Sequence, residues 1–299
     1  MDEPTAPQAD ISRPAPPPGF LVLPQLFAIV GEYPAQGGPG SAENVLAMIQ
    51  TFAGADAWGA PRAEGQSYRV DQYQALYSLI GPFYGGDGEL HFDIPDLHGR
   101  SPIGGNPGEM GAQSLAMSAL VCTSQGDGPP PGTIAWFAGN FPPPGWHMAD
   151  GTIVTAEQYP FLMELFGTTY GGQGWFFALP NLTGRTAIGA GQGPGLAPVT
   201  LGQQVAGPVP ALGVSWMICV EGALPPADGD GGFPATGPWV GQIVAYAGAQ
   251  PPPGWLAADG ALLPVEGNPG LFQIIGTTYG GDGKSDFALP DLRGRTVQG

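Results

Sequence analysis

Apolar residues in this chain come in short runs cut off by glycine and proline. The runs SALVC, ending at Cys122, and SWMICV, around Cys219, are continuous apolar stretches bounded by turn residues, the pattern of buried strands. Ile134 to Ala138 reads as a third strand, which enters a PPPG turn and then a hairpin arm around Ala149, Asp150 and Gly151. Helical spacing is confined to brief segments. Thr155 and Gln158 form a capping-box pair, Leu162, Leu165 and Phe166 share one face, and Gly167 provides a stop. Near the C-terminus Pro264, Gly267, Asn268, Pro269 and Gly270 leave room for a helix only from Leu271 to Ile275. The predicted class is α+β, strand- and turn-rich, with little helix.

The pattern repeats. GTIAWFAGNFPPPGWHMADG through FALPNLTGR, ending at Arg185, matches GQIVAYAGAQPPPGWLAADG through FALPDLRGR, ending at Arg295. A diverged copy, from MIQTFAG to FDIPDLHGR, ends at Arg100, with Gly59-Ala60-Pro61-Arg62 where the PPPGW turn belongs. Spacing fixes the alignment: Gly65, Tyr73 and Gly81 are eight apart, as are Gly151, Tyr159 and Gly167, and Gly260, Asn268 and Gly276. Each module therefore carries one short helix. Cys122 and Cys219 occupy equivalent places, which favours two buried small side chains over a disulfide.

A strand follows the first two modules but not the third, and one orphan of that kind, LFAIVGEYP at 26–34, stands ahead of the first. Aligned on its glycine, the orphan sets Ala28 opposite Cys219. The expected layout is a Pro-rich leader at 1–25, a displaced strand at 26–34, and modules at 45–126, 132–222 and 239–299. An open sheet edge at the last module needs a partner. Phe27, Ala28, Ile29 and Val30 provide it either in cis, closing a pseudo-threefold ring, or in trans, by strand donation along a filament. Closure is favoured for an isolated chain by effective concentration.

Composition sharpens this picture. Gly 52 and Pro 36 would suit a disordered chain, yet hydrophobic residues make up 42%, enough for a core. The repeats assign much of that glycine and proline to turns, leaving 1–19 and parts of 191–210 and 224–238 as linkers. A net charge of −17, with Lys284 the sole lysine, repels polyanions and argues against nucleic acid. No run of about 18 apolar residues is present to insert into a membrane, and the acidic, proline-rich start does not read as a signal peptide.

The segments FAGNFPPPGW, GTTYGGDG at 276–283 and FALPDLRGR at 287–295 resemble the phage tail collar domain, found also in microcystin-dependent proteins; the likeness covers nearly all of 45–299. The resemblance implies a small mixed domain that trimerises in tail fibres and tail-like particles near the receptor-binding tip, outside the cell. Three modules in one chain would then stand in for three chains. Its partners would be a cell-surface glycan or receptor, other tail proteins, or copies of itself. The histidine-bearing loop of the family is missing from all three modules, and only Leu201-Gly202-Gln203 is kept of the segment before it, which argues against an axial metal.

Candidate sites divide into structural and exposed ones. Arg100, Arg185 and Arg295 share one repeat position, with Asp96 and Asp291 nearby, and are expected to satisfy loop carbonyls and acids. Trp146 and Trp255 follow the PPPG turn and are expected to pack on proline rings. The YGGDG and YGGQG turns lack the Lys-Ser/Thr of a P-loop and the repeated oxygens of a calcium loop. His91, His98 and His147 occupy three different module positions, without metal-ligand spacing, and no catalytic motif appears, so neither metal, cofactor nor enzymatic activity is expected. Trp175 and Phe176, in the variable loop where the other modules have Leu90 or Ser285, are the candidates for glycan stacking. The expected function is structural and recognition work at a tail or fibre. A filament subunit is the alternative, and a polysaccharide-binding lectin or hydrolase a distant one.

Overall fold

The computed structural model describes residues 19–34, 45–54, 60–125, 128–224 and 237–299. Residues 1–18 of the expected leader, Gly59, and most of the expected linker at 224–238 lie outside them. The fold is mostly short strands with three seven-residue helices, Gln74–Ile80, Pro160–Phe166 and Pro269–Ile275.

At its centre stand three core strands, one per module: Met48–Phe52, Thr133–Phe137 and Gln242–Tyr246. They are buried on both faces, as continuous apolar runs require. Each pairs antiparallel with both others, lending one end to each. The pairs Met48↔Phe137, Thr133↔Tyr246 and Gln242↔Phe52 mark the three corners at equivalent positions.

Two long strands, Ser114–Cys122 and Ala211–Cys219, tie each module to the next. The first half of Ser114–Cys122 runs parallel to the arm strand Ser101–Gly104 of its own module. Its second half pairs antiparallel with Thr133–Phe137 and Trp146–Met148 of the following module. Ala211–Cys219 does the same with Thr186–Gly189, Gln242–Tyr246 and Trp255–Ala257. The third arm, Thr296–Gln298, pairs parallel with Phe20–Val22 near the start of this same chain, in the register Phe20↔Thr296 that matches Ser114↔Ser101 and Ala211↔Thr186. The chain then continues as Gln25–Phe27, antiparallel to Met48–Phe52. Counting along these registers puts Ala28 at the position of Cys122 and Cys219.

The leading strand therefore starts earlier than the expected 26–34, and Phe20–Val22 is not leader. Pro24, which has no N–H for the ladder, splits it in two and hides it from a search for continuous apolar runs. Ile29 and Val30 lie beyond the paired residues, with Val30 53% exposed, because the chain has already turned toward the first module. A second correction concerns 191–210. The expected linker covers only parts of it, and some of it is tied to the fold: Gln204–Val205 pairs with Ala211–Cys219, Val199 is buried, and Gln203 accepts the Thr200 N–H at 2.8 Å, while most of the segment is exposed.

The second helix starts later than expected and the third earlier. Thr155 and Gln158 do bond reciprocally, Gln158 N–H to Thr155 Oγ1 at 3.2 Å and Thr155 N–H to Gln158 Oε1 at 3.1 Å, but they brace the turn ahead of the helix, which begins at Pro160. The third helix begins at Pro269, two residues before the expected Leu271, because proline suits the first helical position. Leu162 and Phe166 are buried and Leu165 half-buried.

The three arms end in Gly104, Gly189 and Gly299. A Cβ at these positions would overlap the carbonyl oxygen of Leu182, Leu292 and Leu97, each in the next module round. Those close approaches carry paired backbone bonds, Gly104 N–H to Arg185 O (3.1 Å), Gly189 N–H to Arg295 O (3.0 Å) and Gly299 N–H to Arg100 O (3.2 Å).

Candidate functional site

The signature turns after each helix contribute to the contacts between modules. Tyr84 donates its hydroxyl to the Ala138 carbonyl at 3.0 Å, Tyr170 to Ala247 at 2.9 Å, and Tyr279 to Ala53 at 2.6 Å. Module one thus bonds two, two bonds three, and three bonds one. Burial pushes all three phenols far above their ordinary range.

Beside these tyrosines, the carboxylates of the first and third turns hold backbone. Asp87 Oδ1 accepts the N–H groups of Glu89, Leu90 and His91, and Asp282 Oδ1 those of Lys284, Ser285 and Asp286. Those bonds pull the Asp87 pKa down to about 2 and that of Asp282 lower still, with the Ser285 hydroxyl adding to the latter. The second turn has Gln173 instead. There the chain forms a hairpin, Gly172–Gln173 against Phe176–Ala178, with Gly174 and Trp175 at the bend.

The bend position is exposed in all three modules, Leu90 and Ser285 included, and in the second it carries an aromatic ring. Trp175 is 79% exposed and Phe176 56%, while Phe177 faces the core. Phe176 pairs with Thr155, and Ile153, two residues back on the same strand face, is also exposed. Together they form an apolar patch on one three-stranded edge. The equivalent positions of the other modules carry His91 and Asp286 opposite Arg69 and Pro264, so the patch belongs to the second module.

The repeated arginines bind locally. Arg100 donates to the Asp96 carbonyl at 3.2 Å and to its carboxylate at 2.6 Å, and Arg295 donates to the Asp291 carbonyl at 2.7 Å. Asp291 is also held by Arg293 through both carboxylate oxygens. Desolvation opposes that charge but the Arg293 bonds outweigh it, leaving the Asp291 pKa below the usual range. Arg185 has Asn181 in place of the acid and turns to the Thr183 carbonyl and Gln204. Trp146 and Trp255 are buried, paired with Cys122 and Cys219. Both cysteines are free, and burial raises both thiols, that of Cys219 to about 12.

Comparison with known families decides what these modules are: the Phage Tail Collar Domain matches three times in tandem, at 47–102, 132–187 and 241–297, more than half of the chain. The chain belongs to the phage tail collar domain family. No curated protein and no solved structure matches it. The family is one of structural tail fibre domains and not of enzymes. Membership makes this collar protein a tail-fibre-type structural protein, associated with other tail proteins and with the virion exterior. No helix among the described residues is long and apolar enough to cross a membrane. The described residues contain no group of three or more His, Cys, Asp or Glu side chains placed to hold a metal. His147 contacts its neighbouring Met148 carbonyl, and His91 lies 3.7 Å from Asp87.

Three features of the collar protein escape a reading of the sequence as turns and strands. The tyrosines sit between glycine-rich residues that read as turn, yet their recurrence at 84, 170 and 279 was the available signal. The arm-end glycines recur at 104, 189 and 299. The polar side chains of the core strands, Gln50, Thr51, Thr133 and Gln242, differ from module to module and leave no repeat to find.

Proposed function

We propose that this collar protein is a non-enzymatic structural and recognition element of a phage tail fibre or tail-like particle, whose three modules reproduce within one chain a threefold-closed head. In this reading Phe20 to Ala28 closes the third module in cis, and the hairpin bearing Trp175 and Phe176 meets a cell-surface receptor. One observation supports the closure above others: the contacts of modules one to two and two to three recur between three and one, in the same atoms. The Tyr279 bond to Ala53, the Gly299 bond to Arg100 and the Phe20↔Thr296 pairing complete a cycle. Recognition rests on the second module, where loss of the turn carboxylate at Gln173 accompanies an exposed indole. Single, ring-shaped side chains with large rigid area and little entropy to lose suit stacking on a sugar face.

Binding of the purified protein to a glycan array and to bacterial cells tests the recognition half. The expected result is saturable binding lost in Trp175→Ala. Binding to no surface, or binding indifferent to that change, sinks it. Electron microscopy of tail particles labelled on this chain tests the location.

A further inference from the structure

The long strands that follow the first two modules are each covered on the outer side by residues that come just before them. Met110 bridges Leu115, and Gln204–Val205 pairs with Leu212 and Ala211. The backbone bonds recur. Ala116 gives its N–H to Glu109 O at 2.8 Å and takes the Gly108 N–H at 3.1 Å, and Gly213 does the same with Gln203 O at 2.7 Å and the Gly202 N–H at 2.8 Å. Both glycines have positive φ, +87° and +77°, and a Cβ on them would overlap the carbonyl oxygens of Phe83 and Thr169, the residues just ahead of Tyr84 and Tyr170. The residue after each glycine braces the turn. Glu109 Oε1 accepts from Asn106 Nδ2, and Gln203 Oε1 from the Thr200 N–H, each at 2.8 Å. The shared pattern is Asn/Thr-x-Gly-Glu/Gln.

The third module has the strand without the cover. Phe20–Val22 forms a two-stranded sheet with Thr296–Gln298, and among the described residues no strand lies on its other side. Val22 stands at the position of Ala116 and Gly213. Thr296 N–H donates to Gly19 and Leu23 N–H to Gln298, so alternate residues face the arm and Val22 points its N–H and C=O outward. Phe20, Leu21 and Val22 are half-buried, where Leu115, Ala116, Leu212 and Gly213 are buried. An edge of this kind is a template for an added strand.

The sequence argues against two occupants. Residues 1–18, which precede this strand as the covering segments precede theirs, contain no glycine, and Pro14, Pro16, Pro17 and Pro18 lack the N–H a ladder needs. A second copy fares no better: the pattern occurs in this chain only at 106–109 and 200–203, and both are engaged. We infer that the outer edge of Phe20–Val22 is a strand-addition site for a different tail protein, which lays an Asn/Thr-x-Gly-Glu/Gln segment antiparallel along it and bonds Val22 through both backbone groups. The inference rests on closure of the third module in cis, which puts this edge in place. One open edge among three modules gives a single attachment point.

The probe is a fluorescent peptide of residues 197–207, titrated against the full chain and read by anisotropy. Saturable binding with a Kd below about 1 mM is expected. A peptide carrying Gly202→Ala should bind roughly tenfold more weakly or worse, because the added Cβ has no room. In the protein, Val22→Pro removes the outward N–H at a position where an edge strand accepts proline, and should weaken the intact peptide similarly. If that variant fails to fold, the alanine peptide keeps the comparison on the unaltered chain. Absence of saturation by about 1 mM, equal binding of the two peptides, or equal binding to Val22→Pro overturns the proposal. Repeating the titration on a chain locked by a Leu21→Cys, Val297→Cys disulfide separates this site from closure. A chain that locks and does not bind loses the site alone, whereas a chain that does not lock loses closure and the site with it. A locked chain that forms oligomers dispersed by the peptide would make a second copy the occupant and overturn the assignment to a different protein.

Discussion

Replacing Tyr84, Tyr170 and Tyr279 together by phenylalanine isolates the bonds that join each module to its neighbour. Phenylalanine keeps the ring and its packing, including the edge contact of Tyr170 with Phe166 at 5.3 Å. What is lost is one buried hydroxyl donor per module, at 2.6 to 3.0 Å from a carbonyl. Removing one partner of a buried hydrogen bond costs about 1–2 kcal/mol when the other is left bare. The three sites lie in different modules, so their effects should add, to roughly 3–6 kcal/mol. At about 2–4 °C per kcal/mol for a chain of this size, melting should fall by roughly 10 °C. Burial of the same three hydroxyls sets an alkaline limit. Each folded phenol titrates well above its ordinary 10.0, so the unfolded chain loses protons first. Stability is then full below about pH 10 and declines above it, by about 1.4 kcal/mol per pH unit for each tyrosine. Urea denaturation at pH 7 and between pH 9 and 11 reads both effects. A triple variant that melts with the parent, or that keeps the parent's steep alkaline decline, would refute the reasoning.

Other outcomes follow from particular residues. Gly132→Ala should cost about 2 kcal/mol or more, since its φ is +88° and a Cβ would meet Leu165 Cδ2 at 2.5 Å; thermal melting checks it. At the equivalent position Ala47 already has φ +68°, so Ala47→Gly should be close to neutral, relief of left-handed strain offsetting a lost buried methyl and the entropy of glycine. Trp175→Ala should leave melting within about 0.5 kcal/mol of the parent while lowering affinity for a receptor surface. The Asp87 contribution, from a folded pKa depressed to about 2, should be complete above the ordinary carboxylate range and fade as pH falls through 2. Asp87→Ala should accordingly show a shallower acid-side loss in an acid titration followed by circular dichroism.

The local grammar of this fold was legible in the chain. Recurrent spacing located three modules and one helix in each, and equivalence of Cys122 and Cys219 argued against a disulfide, in agreement with two free thiols. Strand boundaries were less so. Phe20-Leu21-Val22 reads as the end of a proline-rich leader because Pro24 interrupts the run, and only its pairing with Thr296–Gln298, far off in sequence, defines it as strand. Parts of 191–210, rich in glycine and proline, read as linker although Val199 packs beside Ile188 and Ala211. The hairpin at Gly172–Gln173 follows from a missing carboxylate, a signal seen in Gln173 but interpretable only once Asp87 and Asp282 are seen holding three N–H groups each. The tyrosine hydroxyls act between modules, and no local period encodes a contact of that kind.

The central claim is that one chain closes on itself through its leading strand, and a cross-link measures this most directly. Leu21 and Val297 are register partners on parallel strands, a separation that a disulfide spans. In a Cys122→Ala, Cys219→Ala background, Leu21→Cys with Val297→Cys should oxidise to a bond within the chain. Non-reducing electrophoresis should then show a compact monomer of 30.6 kDa at every protein concentration. A ladder of covalent oligomers that grows with concentration would mean that the strand is donated to a neighbour, and would contradict closure in cis.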